Sequence, residues 1–363
     1  MNPRIFFCAG VCAVLGAVSG CREKPDPLLQ SPQLALERLE VLHAQRIYFN
    51  GAAFPSLKQA PPAWLPEADR VVTSARVRAL AQAAQSPKLF RQLDRQEHFD
   101  ALLLAGDPVQ YKPLQEHLVQ SGDWVLDWVD PVCAVYVRGA HAEWTPERVR
   151  PVVQRWDAAS KRRRAEALAA IAERLIAAHR KEAGAELLRA AREADPGAAA
   201  VLVGEGNYRL ARGEWAKAVQ AADQALRVES RSRSARSVKA QGLYYLKRFT
   251  EAYEISRVLL GEAPEDPVML FTHAKIAHEV RALEEEIGLL RKLIAIAERE
   301  QRPASWYRVF LGQALATTGK GPEALLEFRL ALEDPDLPQE QRAFAREAVR
   351  RVEEMTAPIR VTK

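Results

Sequence analysis

Few residue pairs in this chain have the types and spacing for chemistry, and each is weak. Asp127 and Asp130 are two carboxylates either side of a turn, the arrangement that acid–base catalysis uses. Polar residues at turns and strand edges have the same look. His273 and His278 are five residues apart, and a helix sets them about 140° apart, poor for one metal ion. Gly204-x-Gly206 lacks the third glycine of a dinucleotide loop, and Gly319-Lys320-Gly321 reads as a turn. The chain contains no Gly-x-Ser-x-Gly, no His-Glu-x-x-His and no Cys-x-x-Cys. Cys133 lies in the apolar run Val132–Val135 and reads as a buried, inert thiol. The expectation is a protein with no catalytic residues, no metal and no cofactor, hence not an enzyme.

Composition sets the outer bounds. The 363 residues are 48% hydrophobic and 27% charged, which excludes a largely disordered chain. Four cysteines exclude a disulfide-dense scaffold. A formal charge of +5 is too mild to argue for nucleic acid as a partner. The cations do cluster, at Lys161–Arg164 and at Arg227, Arg231, Arg233, Arg236 and Lys239. These stretches suit an anionic headgroup or an acidic partner, or form solvated helix faces.

The first residues read as an address. Arg4 is the only charge before Cys21, and Ile5–Gly20 is apolar or small, too short to span a bilayer. The run ends Val18-Ser19-Gly20-Cys21, which resembles the bacterial lipobox. That resemblance implies cleavage after residue 20, lipidation of Cys21 and membrane attachment through acyl chains. Arg22 in place of Asp implies, in a Gram-negative cell, the outer membrane facing the periplasm. Residues 21–32, with three prolines, then read as lipidated cysteine and tether.

Residues 33–140 mix signals and suggest a small α/β or α+β module. Helices are expected over Gln33–His43, Val77–Ala84, Leu89–Arg95 and Tyr111–Gln120. Strands are expected at Arg46–Asn50, Val71–Val72 and Phe99–Leu104, with a hairpin of Trp124–Val129 and Cys133–Arg138 around Asp130-Pro131. The runs Phe99–Leu104, Leu114-x-x-x-Leu118, Trp124–Asp130 and Ala134–Arg138 resemble the soluble extracytoplasmic tail of polytopic glycosyltransferase-like membrane proteins. That resemblance implies location and fold, since the membrane part that carries the chemistry is absent from this chain. It also raises an alternative role, an accessory subunit in glycan processing or transport, with Trp124 and Trp128 touching carbohydrate or the module meeting a membrane enzyme.

From Thr145 the chain reads as helix, with a connecting helix in 141–160. A period then appears. Ala218 to Ala252, and Trp215 to Phe249, are each 34 residues apart, as are Pro196, Ser230 and Pro264. Ala252 to Ala324 is 72, two periods and four residues. The copy between is degenerate, with Glu286 where a small residue is expected. This pattern resembles the tetratricopeptide repeat, a helix–turn–helix unit in which small residues let two helices approach and a proline ends the second. Four to five repeats are expected over 161–335, with a capping helix at 338–355.

The resemblance implies a groove lined by the first helix of each unit. Asn207, Gln241, Tyr244, Phe271, Lys275, His278, Trp306 and Gln313 are the expected groove residues, able to hold an extended peptide through hydrogen bonds and aromatic area. An Asn-and-Lys carboxylate clamp, as some members have, is matched only at Asn207 and Lys275. The expected protein is a lipid-anchored envelope scaffold that binds a protein or peptide partner.

Overall fold

The computed structural model describes residues 33–44, 46–50, 74–106, 108–139, 144–299, 303–335 and 337–356. The lipobox, the tether and the strand expected at Val71–Val72 lie outside the described residues. The chain forms two compact units, one ending at Gly242 and one beginning at Leu243.

The first unit opens with a four-stranded sheet, β1 (Ile47–Phe49), β2 (Ala101–Ala105), β3 (Trp124–Val129) and β4 (Cys133–Arg138), in the order β1-β2-β4-β3. β1 pairs parallel with β2, and the other pairings are antiparallel. Helices α1 (Gln33–Val41), α2 (Ser74–Gln85), α3 (Pro87–Glu97) and α4 (Lys112–Ser121) belong to this module. Its core holds Tyr48, Phe90, Leu102, Leu103, Leu104 and Tyr136, all at most 2% exposed. Strand β2 is buried along its whole length, which explains its unbroken apolar run.

Two polar residues set the ends of the strands. Asn50 extends the parallel pairing with its side chain: Oδ1 accepts from Ala105 N–H at 2.8 Å and Nδ2 donates to the Ala105 carbonyl at 2.7 Å. Asp130 closes the hairpin, accepting the N–H groups of Val132 and Cys133 at 2.8 Å each. A bulge between Leu126 and Trp128 breaks the β3–β4 register at Asp127.

A helix α5 (Pro146–Gln154) leads into paired helices. These are α6 (Lys161–Ala177) with α7 (Lys181–Ala194), and α8 (Ala199–Ala211) with α9 (Trp215–Val228). Next come α10 (Arg233–Tyr245) and α11 (Phe249–Glu262), then α12 (Pro267–Glu279) and α13 (Leu283–Arg299), then α14 (Ser305–Thr317) and α15 (Gly321–Glu333). α16 (Gln339–Thr356) packs on α15. The second helix of each pair begins at 181, 215, 249, 283 and 321, three steps of 34 and one of 38. α13 absorbs part of the extra length, with 17 residues against 14 in α9 and α11. The turn inside each pair keeps the same rhythm. His179, Gly213, Lys247, Arg281 and Gly319 all have φ between 61° and 77°. Glycine at two of these points carries the left-handed backbone at no steric cost.

Close approach explains the small residues. A Cβ added to Gly184 would meet Ile176 at 2.6 Å, and one on Gly206 would meet Val238 at 2.7 Å. A Cβ on Gly312 would strike the Phe328 ring at 2.8 Å. The small residue of the first pair is thus Gly184, on the same 34-residue step as Ala218 and Ala252. The fold is a small α/β module followed by tetratricopeptide-type helical repeats.

Candidate functional site

The first helices of the pairs carry a register position repeated at Glu173, Asn207, Gln241, Lys275 and Gln313. In the first unit this ladder is internally engaged. Asn207 Nδ2 donates to Glu173 Oε1 at 2.8 Å, one helix to the next. Gln241 is exposed and donates to Ser237 Oγ at 3.2 Å on its own helix.

In the second unit the expected residues come together with aromatic neighbours. The Lys275 ammonium lies 5.5 Å from the centroids of both Tyr244 and Phe271. Phe271 meets Phe310 edge-on at 5.2 Å and Tyr307 at 5.5 Å. Trp306 leans on Phe310 at 5.5 Å. All six side chains are half-buried. A row of rings with one cation set into it therefore crosses the last turn of α10, α12 and α14. Each cation–ring contact contributes about 0.5–1 kcal/mol at such exposure. Burial and the Glu279 carboxylate raise the Tyr244 hydroxyl above its ordinary value. Such a surface offers flat apolar area and hydrogen-bonding groups at the repeat spacing. Sequence reading missed Tyr307 and Phe310; the signal was Phe310 four residues after Trp306 and three after Tyr307, one helix face.

His278 is engaged within the fold. Its Nδ1 lies 3.0 Å from Glu286 Oε2, and the Glu286 side chain is 4% exposed. The residue that breaks the repeat pattern is thus partnered from the facing helix. Gln313 is half-buried, and its backbone carbonyl accepts from Thr317 Oγ1 at 2.8 Å.

A second histidine network has the connectivity of a hydrolytic triad. Ser256 Oγ is 2.7 Å from His273 Nδ1, and His273 Nε2 is 3.1 Å from Glu285 Oε1. Tyr253 donates to the other Glu285 oxygen at 2.5 Å. Ser256 is only 3% exposed and His273 0%. The serine and the imidazole are thus closed to solvent, and the network ties α11, α12 and α13 together. It was illegible in sequence because its members come from three helices.

The carboxylate pair of the hairpin is also structural. Asp127, released by the bulge, accepts from Arg38 at 2.7 and 3.1 Å and from Arg148 at 3.2 Å. Asp130 is buried beside the Cys133 thiol, whose Sγ is 3.1 Å from Oδ2. Burial raises the Asp130 carboxyl, against the hydrogen bonds from Val132 and Cys133, and burial pushes Cys133 well up. Arg174 of α6 reaches into this corner, donating to the Gly106 carbonyl at 2.8 Å, the Tyr111 hydroxyl at 3.0 Å and the Pro131 carbonyl at 3.2 Å. Trp124 is 4% exposed with the Arg138 guanidinium 4.5 Å over its ring, so the hairpin does not present that indole to a carbohydrate. Arg155 lies 5.3 Å over Trp128.

An open cleft of about 310 Å³ is lined by Glu298, Ser305, Arg308, Leu330 and Asp334 among others. Its polar groups engage each other, Ser305 with Asp334 and Arg308 with Glu298 and Glu327. Among the described residues, no group of three or more His, Cys, Asp or Glu is placed to hold a metal ion. Among them too, no helix is long and apolar enough to cross a membrane.

The helix pairs and their turn rhythm define a tetratricopeptide-type repeat fold joined to a small sheet module. Compared by sequence, the chain matches no family model and no curated protein. Among solved structures it is similar to TTC0263, a thermophilic tetratricopeptide protein in Thermus thermophilus, at 16% identity and a TM-score of 0.40, covering 49% of this chain and 95% of that one. It is similar to MamA of Desulfovibrio magneticus RS-1 at 17% identity and a TM-score of 0.37, covering 51% and 90%. It is also similar to YrrB, a tetratricopeptide protein with an unusual peptide-binding site, at 16% identity and a TM-score of 0.43, covering 55% and 97%.

Proposed function

We propose that this protein is a lipid-anchored scaffold of the bacterial cell envelope that holds an extended peptide of a protein partner and catalyses no reaction itself. The observation that carries the binding reading is the row Tyr244, Lys275, Phe271, Phe310 and Trp306 in the second unit. It joins large, half-buried rings with a fixed cation at the spacing of successive first helices. Rings of this kind supply binding area at low entropic cost, and their neighbours supply hydrogen bonds. The anchor reading rests on Val18-Ser19-Gly20-Cys21, and the outer membrane facing the periplasm on Arg22. His278 and Asn207 are not part of the proposed binding face, because Glu286 and Glu173 occupy them.

Crosslinking in intact cells tests the face. Phe271→Ala and Lys275→Ala are expected to lose the partners that wild type captures. Unchanged partners in both would move the site elsewhere. Labelling with a fatty-acid analogue tests the anchor: wild type takes up label and Cys21→Ala does not. Equal labelling of the two would end the lipoprotein reading.

A further inference from the structure

The two basic stretches of the sequence meet on one edge of the first unit. Lys161–Arg164 form the first turn of α6. Arg227, Arg231, Arg233 and Arg236 run from the end of α9 into α10. α8 packs against both α6 and α9. α10 lies on α8 and α9, through Val238 beside Gly206 and Gly242 beside Val219. In stacked antiparallel hairpins, the start of each first helix and the end of each second helix share an edge. Glu229, in the turn after α9, lies within electrostatic reach of Arg162 and Glu166 of α6.

Nearby carboxylates engage part of this charge. Arg164 pairs with Asp157 at 2.8 Å, Arg162 with Glu166 at 3.0 Å and Lys239 with Asp223 at 2.6 Å. Arg236 donates to the Arg231 carbonyl at 2.8 Å. Lys161, Arg227 and Arg231 are exposed. Helix stability does not account for the cations of α6, because the N-terminal turn favours negative charge. The second helices α7, α11, α13 and α15 follow that preference, with Glu182, Glu251, Glu284 and Glu323 in their first turns, while α8, α10, α12 and α14 carry no acid there. Val228 lies in the same turn as Arg227 and is 57% exposed. An apolar side chain among arginines suits a surface with phosphates outside and hydrocarbon beneath, and suits a purely acidic peptide less well.

We infer that this edge docks on the phosphodiester headgroups of an anionic phospholipid membrane. The inference rests on the proposed anchor only for the presence of a bilayer: residues 22–32 reach at most about 40 Å when fully extended. Cations near such a surface each contribute about fivefold to binding at physiological salt.

The test uses the full chain carrying Cys21→Ala, so that no lipid is attached. Its partition is measured onto vesicles of phosphatidylglycerol with phosphatidylcholine, and onto phosphatidylcholine alone. Parent and variants share the apolar N-terminal run with its Arg4, so the change on substitution reads the edge alone. The expected ratio is about 100 or more, falling as salt is added. Arg227→Gln with Arg231→Gln lowers it by about 25-fold, and the Glu pair lowers it further. A ratio near one, or one that the paired variants leave unchanged at unchanged helix content, overturns the inference. Neither result depends on whether Cys21 is lipidated in the cell, which the labelling experiment reads separately.

Discussion

His278 Nδ1 lies 3.0 Å from the Glu286 carboxylate, and this contact puts a charged residue where the repeat calls for a small one. Glu286 falls on the 34-residue step of Gly184, Ala218 and Ala252, yet the helix pair closes around it. Burial raises the Glu286 carboxyl above its ordinary value, and the His278 hydrogen bond opposes this only in part. The folded chain therefore binds the proton more readily than the unfolded chain. Its contribution favours the fold in acid and is lost as pH rises through the raised folded value. Glu286→Gln is expected to stabilise the protein at pH 7 by about 1 kcal/mol, with the gain shrinking below the ordinary carboxylate range. Urea unfolding across pH measures it, and a gain constant with pH would refute the assignment.

Two helical glycines should respond to alanine in opposite directions. Gly288, exposed in α13, would meet nothing within 4 Å, so Gly288→Ala gains about 1 kcal/mol from helix propensity. Gly312→Ala drives a Cβ into the Phe328 ring, which is 1% exposed and cannot yield, and costs about 1–3 kcal/mol. Thermal unfolding of the two variants settles the sign of each.

The turn between paired helices gives a third expectation. Lys247 holds φ at 61°, where Gly213 and Gly319 hold 74° and 77° in equivalent turns. Lys247→Gly relieves a left-handed backbone that costs a side chain roughly 1 kcal/mol. The gain is smaller than that, because glycine loses more entropy on folding. Gly319→Ala is expected to lose a similar amount. Chemical denaturation compares the two directly.

The repeats were legible because their constraint is local. Helix approach needs a small residue, the pair turn needs a left-handed residue, and each recurs at a fixed interval that survives as spacing. Hairpin β3–β4 was legible through Asp130-Pro131 between apolar runs. The site was legible only in part. Spacing placed Tyr244, Phe271, Lys275 and Trp306 on first helices, and the structure joins them. Spacing could not show that Asn207 bonds Glu173 or that His278 bonds Glu286, because those partners are set by the stacking of separate helices. Nor could it show why Trp124 is buried, which depends on Arg138 across the strand pair.

Arg174 is the plainest case of a residue that spacing hides, and it carries the last prediction. It sits in the alanine-rich α6, yet its guanidinium reaches the carbonyls of Gly106 and Pro131 and the Tyr111 hydroxyl, all in the sheet module. Asp130, buried and raised by desolvation, feels its positive charge. Arg174→Met removes three hydrogen bonds and leaves those acceptors buried, for a cost of about 3–5 kcal/mol. Arg174→Lys keeps the charge and cannot make the forked contacts, so it recovers only part of that. If Asp130 depends on Arg174 electrostatically, adding Asp130→Asn to Arg174→Met costs less than the two single losses together. A double-mutant cycle in urea reads the coupling. Additive losses would show that Arg174 acts through its carbonyl contacts alone.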